Sequence, residues 1–123
     1  MNPMSTAPYH EALDLLAAKL IEDERTIGVE FPYVTAPDGA WQTMPASVSA
    51  GYTGANWSHG NWFCGFWVGL LLASYLHTRD ETFLTLARER MLLVEQRAED
   101  GNTHDIGFIF LSSAMPFYRI TGE

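Results

Sequence analysis

Positive charge and cysteine are both scarce in this chain. Seven Lys and Arg residues against fifteen Asp and Glu leave a net charge of −8 over 123 residues. No basic stripe forms anywhere, which excludes the electrostatic footprint of a nucleic-acid binder. The single cysteine, Cys64, rules out an internal disulfide and fits a reducing compartment. No apolar run is long enough to span a bilayer, since residues 62–73, the longest, fall well short of the ~20 required. They read as a buried core helix. The opening Met1-Asn2-Pro3-Met4-Ser5 lacks a basic n-region, and Glu11, Asp14 and Lys19 interrupt the first apolar segment. The sequence therefore does not look like a signal peptide, and the expected location is cytoplasmic.

Two further absences narrow the chemistry and the fold. His59, His77, His104 and Asp105 could in principle meet as metal ligands, but no His-x-x-x-His or Cys-x-x-Cys spacing organises them, so a metal site is not expected. His10 and His77 read as solvated helix residues. Cys64 has apolar neighbours and no basic one, conditions that raise a thiol's pKa and disfavour a nucleophile. Strand-type alternation is short everywhere and the β-branched residues are scattered, so the expected fold class is all-α.

What the chain does contain is apolar: 47% of its residues are hydrophobic and 13% aromatic, which makes it globular. At this length it is at most one domain, able to bury about two-thirds of its unfolded surface. Ser5 or Thr6 can cap a first helix with Pro8 in its first turn. Leu13, Leu16, Ala17, Leu20 and Ile21 then keep helical spacing until a stop near Gly28. Residues 29–60 lose all periodicity, punctuated by Pro32, Pro37, Asp38-Gly39, Pro45, Gly51, Gly54 and Gly60. They carry Phe31, Tyr33, Trp41, Tyr52 and Trp57, as either a functional loop or a packed cover for the core.

The apolar block that opens at Trp62 continues as helix to His77. It is hydrophobic all round, which predicts protein on every side. Gly65 and Gly69 cost roughly 1 kcal/mol each in a helix interior and predict a groove where another backbone approaches. Thr78-Arg79-Asp80-Glu81 has the form of a capping box for a third helix through Phe83, Leu84, Ala87, Met91 and Val94. A fourth helix is expected from about Asp105 to Thr121, kinked at Pro116.

Two phrases recur. Gly65-Phe66 and Gly107-Phe108 each open an apolar helix. Tyr75-Leu76-His77-Thr78-Arg79-Asp80-Glu81 and Tyr118-Arg119-Ile120-Thr121-Gly122-Glu123 close them, with a one-residue offset between the intervals. Such repetition predicts stacked helical hairpins. After the first closing phrase a helix begins at once, whereas after the second the chain stops, so the expectation is a truncated array.

The stretch Thr103-His104-Asp105-Ile106-Gly107-Phe108 sets a carboxylate and an imidazole before the apolar run of the last helix. A helix start favours an ionised acid there. Asp105 is then either a plain helix cap or a substrate-contacting group.

Taken together, the Phe31-Pro32 and Asp38-Gly39 segment, the Trp62-x-x-Gly65-Phe66-Trp67-x-Gly69 block, the Thr78-Arg79-Asp80 turn and His104-Asp105-Ile106-Gly107-Phe108 resemble the N-terminal part of unsaturated glucuronyl hydrolases, glycoside hydrolase family 88. The resemblance runs in family order from residue 31 onward. It implies an α/α toroid of six helical hairpins, of which residues 1–123 would be a single partial domain supplying the first helices. It also implies a glycosidase that releases 4,5-unsaturated uronic acid from lyase-generated oligosaccharides by hydrating a vinyl ether, without metal or other cofactor. Asp105 matches the family's sugar-contacting catalytic aspartate, His104 lies beside it, and Trp62 matches a tryptophan lining the sugar subsite. The acid/base aspartate lies downstream of this chain's last residue in the family, so the chain is expected to bind an unsaturated uronyl oligosaccharide weakly and to be inactive alone. Asn61 and Cys64 depart from the family's usual residues and are expected to remove negative charge from the cleft. The alternative is a small helical interaction protein, homo-oligomeric through its uncovered apolar face.

Overall fold

A computed structural model describes residues 5–47, 50–53, 56–59 and 61–123, the two short segments 50–53 and 56–59 by backbone alone. The described chain is mostly helical. α1 (Ala7–Ile27) is followed by β1 (Phe31–Thr35), β2 (Trp41–Met44), β3 (Ala50–Thr53) and β4 (Asn56–His59). Then come α2 (Cys64–Thr78), α3 (Glu81–Val94), a 3-10 turn at Glu95–Arg97, α4 (Ile106–Ser112) and α5 (Ala114–Thr121). None of the described helices is long and apolar enough to cross a membrane.

The strands correct the all-α expectation. β1 and β2 pair antiparallel, as do β3 and β4, giving two separate hairpins where the sequence read as irregular. The first turns on Pro37-Asp38-Gly39. Gly39 takes a φ of +86°, the Asp38 carboxylate accepts from the Ala40 N–H at 3.0 Å, and Ala36 and Ala40 are bonded across the turn. Asp-Gly is a strong hairpin turn because both residues tolerate left-handed backbone. A register shift between Pro32 and Val34 breaks the alternation that would have revealed the strand. The side chains of Tyr52, Trp57 and His59, together with Gly54 and Gly60, lie outside the described residues.

α2 is the centre of the molecule and packs against α1, α3 and α4. Leu20, Phe31, Val68, Leu71, Leu72, Ala87, Val94 and Ile109 form the fully buried core between these elements. The expectation that α2 is covered on every side is corrected, because Phe66, Leu70 and Leu76 are exposed. Gly65 and Gly69 do what their spacing predicts. A Cβ at Gly65 would lie 2.1 Å from the Ile109 carbonyl oxygen, and one at Gly69 would lie 2.7 Å from that of Ser112. The absence of two side chains thus seats the backbone of α4 directly on α2.

The expected single fourth helix is two helices. Pro116 has no N–H and its ring excludes a helical carbonyl four residues earlier, at Ser112, so the ladder breaks at Ser113 instead of bending. Ser113 is fully buried and its hydroxyl donates to the Ile109 carbonyl at 2.6 Å. The capping box at Thr78 is also corrected. Thr78 belongs to α2, Arg79 adopts the left-handed conformation at φ 61°, and Asp80 caps α3 by accepting from the Thr82 N–H at 2.9 Å.

The repeat survives in the hydrogen bonding. Gly65-Phe66 and Gly107-Phe108 occupy the second and third positions of α2 and α4. At the other ends, the N–H groups of Arg79 and Gly122 both return to a tyrosine carbonyl, Tyr75 and Tyr118, at 2.8 Å. Thr78 and Thr121 both donate back one turn, to the Ser74 and Phe117 carbonyls. Each also accepts the N–H two residues on, from Asp80 and Glu123. The break at Ser113 accommodates the one-residue offset between the copies.

Candidate functional site

The loop that carries His104 and Asp105 is anchored by charge buried in the core. Arg97 is 1% exposed. Its Nε donates to Asp100 at 2.7 Å, one terminal nitrogen to the carbonyls of Ala46 (2.9 Å) and Asn61 (3.1 Å), and the other to the Thr103 hydroxyl at 3.3 Å. Asp100 also accepts the Asn102 N–H, tightening the turn. A planar guanidinium with five donors can bind several acceptors at fixed angles, which a lysine cannot. Charge buried this deeply is tolerated only when paired and hydrogen-bonded, as it is here.

Beyond Thr103 the chain emerges. Asp105 stands at the head of α4 as predicted, but its carboxylate makes no bond to the helix's free N–H groups; only its backbone carbonyl takes part, accepting from Phe108. The plain helix-cap reading therefore fails. The carboxylate instead lies 3.4 Å from Nε2 of the solvent-exposed His104. His104, Asp105, Gly107, Phe108 and Leu111 line an open pocket of about 360 Å³. Gly107 has nothing within 4 Å of where a Cβ would stand, so main chain forms part of the wall. Asp105 is the only carboxylate among these lining residues.

Trp62 does not line that pocket. It lies behind Phe108, with ring centroids 5.7 Å apart, and meets Phe66 edge-on at the same distance. Phe63 stacks on it at 3.7 Å, which covers one of its two faces. Phe108 is 51% exposed and Phe66 41%, so the pocket's edge continues onto an aromatic surface. Phe108 closes the His104-Asp105-Ile106-Gly107-Phe108 motif, but sequence reasoning assigned it no role of its own at the site. It joins the carboxylate to the tryptophan.

The expectation for Asn61 and Cys64 is corrected. Both are fully buried and neither faces the pocket. The Asn61 amide donates to the Met44 carbonyl at 2.9 Å while its Oδ1 accepts the Cys64 N–H at 3.1 Å, satisfying the start of α2. An aspartate could accept there but could not donate. Burial pushes the Cys64 thiol up to about 11, against an ordinary value of 9.0, in keeping with an inert core cysteine.

No group of three metal-ligating side chains occurs among the described residues. His77 lies 2.7 Å from Asp14, with the His10 ring beside it, and has no connection to His104. A second buried charge stands apart from the pocket: Arg90 pairs with Glu24 at 2.6 Å, bonds the Gly28 and Glu30 carbonyls, and lies 5.1 Å over the Phe31 ring. Glu24 also accepts from Trp67 Nε1 at 2.7 Å. Arg90 and Arg97 continue the helical spacing of the buried Phe83, Ala87 and Val94, so position alone marked them for burial and only their charge argued against it.

Comparison with known proteins gives two partial matches. Over 66 residues, half of this chain, the sequence is 33% identical to the unsaturated chondroitin disaccharide hydrolase of Streptococcus pneumoniae. Over 65 residues it is 31% identical to the protein of the same name from Streptococcus agalactiae. Each match covers 16% of the relative's length. These matches support a glycoside hydrolase-like relationship for half of the chain. No protein-family model and no solved structure matches it.

Proposed function

We propose that this chain carries the sugar-contacting half of a glycoside hydrolase site, with Asp105 as the carboxylate that accepts hydrogen bonds from a 4,5-unsaturated uronic acid. The observation that carries the reading is the Asp105 carboxylate itself. It is left unused by the helix it heads, and it lines an open pocket edged by aromatic rings. His104 is the neighbouring donor. Phe108, backed by Trp62, offers the apolar surface against which a sugar ring packs. The partial relationship to two hydrolases of unsaturated disaccharides supports the substrate class. α2 with α3, and the α4–α5 pair that repeats the start of α2 at α4 and its cap at α5, are in this reading one hairpin and the opening arm of the next in an α/α toroid.

Hydrating a vinyl ether requires a proton on one carbon and water on its neighbour, and a positioned acid/base contributes about 10²–10⁴-fold to such a step. With one carboxylate in the pocket, contact and proton transfer cannot be divided between two groups. The 123 residues therefore bind an unsaturated uronyl disaccharide weakly and do not turn it over. Titration by NMR should show millimolar binding that Asp105→Asn weakens without changing the helical circular dichroism. The ultraviolet absorbance of the double bond should persist. Turnover abolished by Asp105→Asn would give that residue the acid/base role instead, and absence of any binding would refute the reading.

A second reading has its own observation. Phe66, Leu70, Phe108, Leu111, Met115 and Tyr118 are all exposed large apolar residues on α2, α4 and α5. Surfaces of this kind mark interaction sites. A helical interaction protein that self-associates through them would sediment as an oligomer, and substitution of Leu111 and Met115 by Ser would return it to a monomer.

A further inference from the structure

We infer that Arg97 is the positioning residue of the candidate site, holding the turn that carries His104 and Asp105 at a fixed distance from the segment that carries Trp62; the inference rests on the reading of Asp105 as the sugar-contacting carboxylate. Arg97 touches neither the pocket nor its rim. What it does touch is the chain immediately before each site residue. One terminal nitrogen binds the carbonyl of Asn61, the residue before Trp62. The other binds the hydroxyl of Thr103, two residues before Asp105. The remaining bonds, to Asp100 and to the Ala46 carbonyl, tie the same guanidinium to the turn's start and to the chain that leaves β2.

The contacts close a ring. From Arg97 the path runs through Asn61 to Trp62, across the 5.7 Å ring contact to Phe108, back through α4 to Asp105, and through Thr103 to Arg97. Each side of the ring constrains the others. If the guanidinium is lost, the turn at 98–105 loses its links to two separate segments at once, whereas the Trp62–Phe108 contact alone is a sliding apolar one. Ile109 and the glycine seats on α2 fix α4 itself. The turn ahead of α4 is tied to Ala46 and Asn61 through Arg97. A residue with four directional bonds, two of them to the chain just ahead of Trp62 and of His104, is suited to setting the height and angle of one carboxylate.

The test is a double-mutant cycle read by binding of a 4,5-unsaturated uronyl disaccharide to the full chain, followed by NMR. Arg97→Lys keeps the charge and removes the fork. Thr103→Val keeps the shape and removes the hydroxyl that accepts from Arg97 nearest Asp105, so it remains informative should the lysine variant unfold. Each is expected to weaken binding about tenfold, the scale of one charge-assisted hydrogen bond set out of line. Neither should weaken it further in an Asp105→Asn background, because the effect travels through that carboxylate. Equal losses in both backgrounds would make the arginine a general stabiliser and overturn the inference, as would unchanged binding in the single variants. Absence of binding by the parent chain would remove the Asp105 reading and this inference with it, and that result needs no variant to recognise.

Discussion

Gly65→Ala is the sharpest probe of how the two halves of the molecule meet. In an isolated helix this substitution stabilises by about 1 kcal/mol, since glycine is the poorer helix former. Here the added methyl would lie 2.1 Å from the Ile109 carbonyl oxygen and 2.6 Å from the Ile109 Cα, both well inside ordinary contact. The obstructing atoms are backbone, so no rotamer change relieves the clash and α4 must move away from α2. Overpacking a filled core costs about 1–3 kcal/mol, and a clash with main chain belongs at or above the upper end. After subtracting the propensity gain, the net loss is about 2 kcal/mol. Urea unfolding followed by circular dichroism measures it. Gly107→Ala serves as the control, because nothing lies within 4 Å of its would-be Cβ; it should be neutral or slightly stabilising. A Gly65→Ala chain as stable as the parent would refute the seating of α4 on α2.

Three further outcomes follow from buried or capping groups. Arg90→Met leaves Glu24 buried without its partner and should cost about 3–5 kcal/mol, with Glu24→Leu in the same chain recovering most of it; chemical denaturation gives both values. Cys64 should resist alkylation at pH 8 in the native chain and react readily in urea, since burial holds its thiol near about 11; fast native labelling would contradict its place in the core. The Asp80 carboxyl is held below its ordinary value of 3.8 by the Thr82 N–H. Its contribution to stability is therefore present above that value and is lost as pH falls through the lower folded value. In Asp80→Ala that acid-dependent component should disappear from a thermal-melt series between pH 5 and about pH 2.

The helices were legible because their signals are local. Periodicity marked the buried face of α1, the Gly65 and Gly69 spacing marked the close approach, and the two tyrosine-threonine phrases marked two identical helix ends. The hairpins were missed for an equally local reason. β1 and β2 are four or five residues long and a register shift interrupts the first, so alternation never accumulates. The Asp38-Gly39 turn was the available signal. Arg97 is a different kind of omission. Its acceptors include the carbonyls of Ala46 and Asn61, which sit far from it in sequence and whose identity as acceptors is independent of their side chains. No pattern of residue types can point to a main-chain oxygen brought close by the fold. The same limit misplaced Asn61, whose value to the protein is a donor and an acceptor on one amide inside the core rather than a missing charge in a cleft.

Two aspartates at the heads of helices show how much the structure adds to the reading of Asp105. In the sequence both stand just ahead of a helix, Asp105 as a possible cap and Asp80 inside a capping box assigned to Thr78. At Asp80 the carboxylate does cap: it accepts the Thr82 N–H at 2.9 Å and is held low by that bond. At Asp105 the backbone carbonyl alone serves the helix, while the carboxylate turns to His104 and the pocket. Capping is a local service that many residue types perform, so an aspartate that performs it needs no other explanation. An aspartate in the same kind of position that declines it contributes nothing evident to α4, and its place among pocket residues becomes the feature to explain. The two side chains should then separate cleanly under substitution: Asp80→Ala acts on helix stability and leaves sugar binding alone, whereas Asp105→Asn acts on binding and leaves the helices alone.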